Sequence, residues 1–231
     1  MPGKSLPFAV AAAALTAGAS SALADISYLD QNRSITAATS ADSNTQTLFA
    51  PDFAPFVESL NLSTTFDAVG GGTGINAAGA GIDCQLDPNA IVVTGSLSGA
   101  GGLSVTGGTP TLVFSESAVR ISTSFHLNTD TPYSLLATAR PSSHPKDRFK
   151  IKVEDVTRNL VLVFVDESMP PQAIDTGGIM LAGDYSLEFE VQLTIEGAET
   201  LKDFEFNLQV PGAGSPALAA LVGVFGLRRR R

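Results

Sequence analysis

The chain is poor in the side chains that most often bind metals or cross-link a fold. It has a single cysteine, Cys84, so no disulfide can form within the chain. Ile82 and Leu86 stand at alternate positions on either side of it, a pattern that predicts a small buried residue. His126 and His144 are the only histidines. One such thiol and two separate histidines do not make a zinc site, and we predict no metal and no cofactor.

Tryptophan is absent, and aromatic residues make up only 7% of the chain. Sugar-binding surfaces usually expose a flat aromatic ring, because such rings stack on the faces of pyranoses. Most phenylalanines fall on the apolar side of alternating segments, which leaves Tyr28 and Tyr133 as candidates for such a platform. A carbohydrate-binding module is therefore an alternative interpretation, not the leading one.

Catalytic motifs are also missing. No Gly-x-Ser-x-Gly segment presents a nucleophile, and the glycine cluster Gly70–Gly74 lacks the lysine and the following helix of a phosphate loop. A hydrolase, the third function class, would need His126 or His144 beside a serine and a carboxylate in a cleft. The segments Asn128–Asp130 and Asp166–Glu167 offer oxygen atoms to calcium, but without the dense spacing of a calcium loop. We therefore predict that the protein is not an enzyme.

The charges are unevenly distributed along the chain. All 23 acidic residues lie between Asp25 and Glu205, and residues 25–210 hold only nine basic ones, so this part has a net charge of −14. Such a surface repels nucleic acid and anionic lipid. Six of the nine basic residues fall close together in the sequence. We expect them to lie on a solvated strand face; the alternative is that they contact an acidic exopolysaccharide or the acidic face of a neighbouring copy. These six are Arg140, Lys146, Arg148, Lys150, Lys152 and Arg158.

Apolar and polar residues alternate through the second half of the chain, as in antiparallel strands with one face on a core. The predicted strands there are Val119–Leu127, Phe149–Val156, Leu160–Val165, Ile179–Leu181, Tyr185–Ile195 and Phe204–Val210. A hairpin is expected at Thr157–Asn159 and a loop at Asp166–Asp175. No convincing helical period is present between residues 25 and 210. We predict an all-β fold, a two-sheet, jelly-roll-like antiparallel sandwich.

The first half is less regular. Ile35–Ser40, Val57–Phe66 and Ile91–Leu97 have strand patterns. Between the last two, the glycine- and alanine-rich segments Gly70–Gly74 and Ala77–Gly81 form a patch that is flexible by composition. Such stretches are either mobile loops or strands where sheets approach closely. Neither a long linker nor a charge break divides residues 25–210, which we expect to form one domain.

The first 24 residues have the features of a signal peptide. Lys4 precedes an apolar stretch from Leu6 to Ala17, and this stretch predicts an N-terminal signal helix. Small residues stand at Ala22 and Ala24, the two positions that a signal peptidase reads. We therefore predict cleavage before Asp25.

Residues 211–231 have the features of a sorting signal. A hinge begins at Pro211, an apolar segment runs from Pro216 to Leu227, and four arginines follow: Arg228, Arg229, Arg230 and Arg231. The apolar segment predicts a short helix that is too short to cross a bilayer comfortably, since roughly 20 residues are needed, with the arginines on the cytoplasmic side. This tail resembles the PEP-CTERM signal of bacterial exosortase substrates, although the hinge lacks the glutamate of the Pro-Glu-Pro start. Two body segments, Asp30–Ser34 and Ala50–Phe56, also resemble exported proteins with such tails.

The resemblance implies an exported protein that is processed by an exosortase-like enzyme. We expect it to be membrane-anchored transiently and then placed at the cell surface or in the extracellular matrix. The leading interpretation is a non-enzymatic β-sandwich with a structural or adhesive role.

Overall fold

The computed structural model describes residues 25–106, 109–139, 146–167, 173–197 and 200–210. Within these ranges the chain is all-β, with no helix. The strands are β1 (Ile26–Thr39), β2 (Asn44–Phe49), β3 (Phe56–Asp67), β4 (Thr73–Asp87), β5 (Ala90–Ala100), β6 (Gly102–Thr106), β7 (Thr109–Val113), β8 (Ser115–Leu127), β9 (Thr131–Ala139), β10 (Arg148–Asp155), β11 (Leu160–Glu167), β12 (Ile174–Met180), β13 (Gly183–Ile195) and β14 (Thr200–Gln209).

Two large antiparallel sheets pack face to face. The first sheet has the order β11-β10-β13-β8-β1-β2, and the second has the order β12-β9-β14-β5-β4-β3. A separate two-stranded ribbon pairs β6 with β7. Successive strands often change sheet, as at β8 to β9 and β13 to β14, so both sheets are built from distant parts of the sequence. The prediction of an all-β fold with two antiparallel sheets is confirmed.

Aromatic side chains from both sheets meet in the shared core. Phe189 on β13 lies 5.1 Å from Phe206 and 5.9 Å from Phe204 on β14, measured between ring centroids. It also makes an edge contact at 6.1 Å with Phe149 on β10. All four rings are buried. Alternation along β10, β13 and β14 puts these rings on the inner faces, as the sequence predicts, and the contacts join the two sheets.

Strand β4 decides between the two alternatives for the glycine-rich patch, in favour of a strand. Ala77–Gly81 lies inside this strand, which pairs along its length with β3 and β5. Neighbouring side chains pack close to Gly79: a Cβ atom there would lie 2.5 Å from the Ser98 hydroxyl oxygen and 2.6 Å from a side-chain oxygen of Asn61, so both side chains would have to shift. Only Gly70–Gly72 forms a turn, where all three residues have positive φ angles.

Other boundaries differ from the predictions in smaller ways. Strand β1 begins at Ile26 rather than Ile35, and β2, β6, β7 and β9 were not predicted at all. The predicted loop Asp166–Asp175 is shortened by strand residues at both ends. The hairpin at Thr157–Asn159 is confirmed, and Asn159 has the positive φ of 52° that asparagine tolerates well.

The two ends of the described chain lie at the same turn. The backbone N–H of Ile26 donates to the carbonyl of Pro88 at 2.6 Å, and that of Val210 donates to Asn89 at 2.8 Å. Pro88 and Asn89 connect β4 to β5. We call this end of the sandwich, which holds Ile26, Pro88, Asn89 and Val210, the terminal pole.

Candidate functional site

A groove lies on the outer face of the first sheet. It has a volume of about 470 Å³ and is lined by residues of five adjacent strands, β2, β1, β8, β13 and β10. The alternation of each strand sends every second side chain outward, so this face is polar while its reverse is the core. The side chains that line it are Asn32, Ser34, Thr36, Thr47, Phe49, Arg120, Ser122, Lys150, Glu188 and Glu190.

The groove exists because short side chains lie between longer ones. Ser34 on β1 and Ser122 on β8 belong to the middle strands and are shorter than their neighbours. Ser34 is directly opposite Phe49 on β2 in one direction and Arg120 on β8 in the other. The longer side chains of Phe49 and Arg120 therefore rise on either side of Ser34, and Glu190 follows on β13.

Glu190 links two arginines beside the groove. Its carboxylate accepts a hydrogen bond from Arg120 Nε at 2.8 Å and lies 3.4 Å from Arg148 Nη1. Arg148 also binds Asp166 through two nitrogens, at 2.8 and 3.0 Å. These hydrogen bonds hold the pKa of Asp166 below its ordinary value.

The lysines of β10 are paired in the same way. Lys150 contacts Glu188 on β13, and Lys152 contacts Glu154 on its own strand. The hydrogen bond to Glu154 raises the pKa of Lys152. Within the described part of this face, four cations and four carboxylates are thus matched, on a domain that is otherwise strongly acidic. Of the six basic residues singled out in the sequence, Arg148, Lys150 and Lys152 lie on the outward face of β10, as the strand-face interpretation predicts, and all three are paired. Lys146 and Arg158 flank the strand, and Arg140 lies outside the described residues.

Phe49 gives the groove an apolar rim. Its side chain is 64% exposed at the end of the edge strand β2. The sequence offered one signal for it: Leu48 and Phe49 are adjacent, so in a strand one of them must face away from the core. Sequence reasoning missed this residue because it considered only tyrosines as exposed aromatic candidates.

The two tyrosines predicted as a platform are placed differently. Tyr133 is only 6% exposed, so the prediction is wrong for this residue; its ring lies on the inner face of β9. Tyr28 is half-buried, and its hydroxyl donates to the carbonyls of Asp87 at 2.8 Å and Ala90 at 3.1 Å. Burial raises the pKa of Tyr28. Its role is to fasten β1 to the terminal pole.

A search of protein-family models finds no match to the chain. A search of curated proteins likewise finds no significant match.

The candidates for catalysis and metal binding do not converge. His126 Nδ1 lies 2.6 Å from Asp184 Oδ1, but both side chains are about half exposed on the outer face. The Asp130 carboxylate accepts the backbone N–H of Ala182 at 2.9 Å, and Asp166 is bound by Arg148. In the ranges listed above, no three acidic, histidine or cysteine side chains come together as a metal site. His144 lies outside the described residues.

Cys84 is fully buried, as predicted. Burial raises the pKa of its thiol. Beside it lies a residue that the sequence reasoning did not single out, Arg33, whose side chain is also fully buried. Arg33 donates to the Cys84 carbonyl at 3.3 Å, to the Ala54 carbonyl at 2.8 Å and to Asp52.

Arg33 therefore joins the two segments singled out in the sequence. It belongs to Asp30–Ser34 and holds the backbone of Ala50–Phe56. Gln31 accepts from Arg33 Nε at 3.0 Å, and the Ala50 N–H donates to the Arg33 carbonyl at 2.9 Å. These contacts fix the chain where it leaves β2, directly after Phe49. They are structural, but they position the rim of the groove.

The predicted processing sites lie elsewhere. Ala22 and Ala24 at the signal cleavage site, and Pro211, Pro216 and the four terminal arginines of the sorting signal, are outside the described residues; Asp25 is the first residue that is described. Across the described residues, no helix has the length and apolar character needed to span a bilayer.

Proposed function

We propose that this chain is an exported, envelope-sorted and non-enzymatic surface or extracellular-matrix protein. Its domain is a jelly-roll-like β-sandwich, with short helices at residues 1–24 and 216–227 outside it. The sandwich has a structural or adhesive role. Signal peptidase removes residues 1–24. The protein is then anchored transiently in the membrane, and an exosortase-like enzyme processes the sorting signal, residues 211–231. The order of the two terminal signals around an acidic β-domain supports this assignment.

The observation that carries the adhesive role is the groove on the outer face of the first sheet. It combines hydroxyl and amide groups with matched charges and one exposed ring, Phe49. These groups suit a flat, hydroxyl-rich ligand, which can exchange hydrogen bonds with Ser34 and Ser122 while a sugar face packs on Phe49. No covalent step is needed for such binding.

The same groove supports the second candidate function, a carbohydrate-binding module. A neutral polysaccharide fits the paired charges best, because it leaves the ion pairs Arg120–Glu190 and Lys150–Glu188 of the groove intact. An acidic exopolysaccharide is the other ligand class; its carboxylates would compete with Glu190 and Glu188 for Arg120 and Lys150. The two classes differ in salt dependence, since only the acidic polymer would bind by charge.

A binding experiment tests the groove. Purified full-length chain would be incubated with insoluble neutral and acidic polysaccharides, and the bound fraction measured at low and high salt. Phe49→Ala should reduce binding about tenfold, because it removes the exposed ring on which a sugar face would pack. Val57→Ala, an equally exposed apolar residue on β3 of the other sheet, is the matched control and should bind normally. Equal binding by wild type and Phe49→Ala would refute the groove as the binding surface.

The sorting proposal needs a separate experiment in the native host. Deleting residues 211–231 should leave the domain folded and release it into the medium. Replacing the four terminal arginines by serine should have a similar effect, because the cytoplasmic anchor is lost. An insoluble truncated protein, or an unchanged site of accumulation, would contradict the proposal.

A further inference from the structure

Strand β11 is an edge of the first sheet. Among the described residues it pairs with β10 on one side only, so alternate backbone N–H and C=O groups face away from the sheet. It begins Leu-Val-Leu-Val-Phe-Val, and its only charged residues, Asp166 and Glu167, stand at its end. Natural edge strands usually carry lysine, proline or other charged residues, which prevent pairing with another chain, and the first six residues of β11 have none.

Several apolar side chains of β11 are exposed, which favours contact with another molecule. Val161 and Phe164 face outward beside Glu154 and Lys152 of β10, and they are 46% and 60% exposed. Leu160, on the inner side of the same strand, is 53% exposed. Large apolar side chains on a free strand favour association, because burying them releases water.

The other free edges are better protected. Strand β2 has only six residues, four of them polar; β12 contains Gly177 and Gly178; and β3 carries Glu58 in its first half. A register shift at Val153/Glu154 is the protective irregularity seen on β11, and the ladder with β10 is regular from Val163 to Glu167.

We propose that β11 binds β11 of a second copy of this chain, antiparallel and related by a two-fold axis, so that two first sheets become one continuous sheet. Two observations select a second copy as the partner. The only charged residues of the strand, Asp166 and Glu167, stand at one end, so an antiparallel copy keeps like charges apart. The outer face beside the strand also has matched charges, so two acidic domains can approach there without strong repulsion. This interface does not depend on the proposed ligand or on export.

Sedimentation velocity of the full-length chain over a range of micromolar concentrations tests the proposal. Wild type should form a dimer in a concentration-dependent way. Val161→Lys should weaken dimerisation about tenfold or more, because a lysine would be brought against an apolar strand. The new lysine lies beside Glu154, so the monomer should remain folded by circular dichroism. Phe164→Glu, placed beside Lys152, is a second variant with the opposite charge and the same expected result.

Val57→Lys is the matched control, because Val57 is 62% exposed on β3, the free edge of the second sheet. This variant should dimerise like wild type. The proposal is overturned if wild type is monomeric throughout, if both β11 variants dimerise like wild type, or if Val57→Lys is weakened as much as they are. The last result would place the interface at the opposite edge.

Discussion

Phe189 offers the sharpest test of the packing between the sheets. It is 1% exposed and contacts three other buried rings, two of them on the opposite sheet. Removing a buried phenylalanine side chain costs about 3–5 kcal/mol, and each aromatic contact adds roughly 0.5–1.5 kcal/mol beyond burial. Because these contributions overlap, we expect Phe189→Ala to lower the free energy of unfolding by about 4 kcal/mol, a large part of a typical total of about 5–15 kcal/mol.

Urea denaturation, followed by far-ultraviolet circular dichroism, measures this loss. The midpoint should fall while the slope with urea stays the same, since the surface exposed on unfolding hardly changes. Phe49→Ala is the control: its ring is exposed, and the change should stay within about 0.5 kcal/mol. Phe189→Asp should prevent folding altogether, because it buries an unpaired charge. A loss below about 1 kcal/mol for Phe189→Ala would mean that the two sheets are not joined through this ring.

Further predictions concern other parts of the described structure and the predicted processing. Glu190→Ser should cost about 1 kcal/mol because it removes the partner of two arginines, as urea titration would show. Arg33→Met should cost more, roughly 2–4 kcal/mol in the same titration, because several buried carbonyls lose a charged donor. Burial raises the pKa of Tyr185 to about 12 from its ordinary value of 10, so this tyrosine stabilises the fold fully below pH 10, and the stability is lost as pH rises towards 12. Thermal melts should follow this decline, and Tyr185→Phe should make it shallower. The Cys84 thiol should react with a disulfide reagent only after denaturation, and reaction in the native state would contradict its burial. Mass spectrometry of the exported protein should find Asp25 as its first residue; a chain that keeps Met1 would contradict the signal peptide.

Alternation was sufficient to predict the strands of the second half. In β13, apolar residues occupy every second position from Tyr185 to Ile195, and all of them are buried. The same rule fails for β4, because its glycines and alanines carry little contrast between faces. The pattern of β9 is blurred by the adjacent residues Leu135 and Leu136, which face opposite sides.

The groove could not be predicted because it depends on which strands are neighbours. Ser34 and Arg120 are opposite each other although they are far apart in the sequence, and such pairing is not encoded in local periodicity. The burial of the Arg33 side chain could have been predicted from the sequence. Arg33 stands two and four residues before Ile35 and Ala37, so strand alternation puts it on their buried face. A buried arginine requires several acceptors, and backbone carbonyls provide most of them.

The terminal pole has a mechanical consequence. A pull on residues 211–231 enters the domain at Val210 and passes along β14, which is held between β5 and β9 in the middle of the second sheet. Hydrogen bonds in an antiparallel sheet are perpendicular to the strands, so this force loads the ladders of β14 in shear, many bonds at once, instead of opening them one by one. A load applied at the groove on the first sheet would reach β14 through the aromatic core and along the chain from β13 to β14. If residues 211–231 are the anchor that we propose, tension between that anchor and the groove would therefore load β14 in shear.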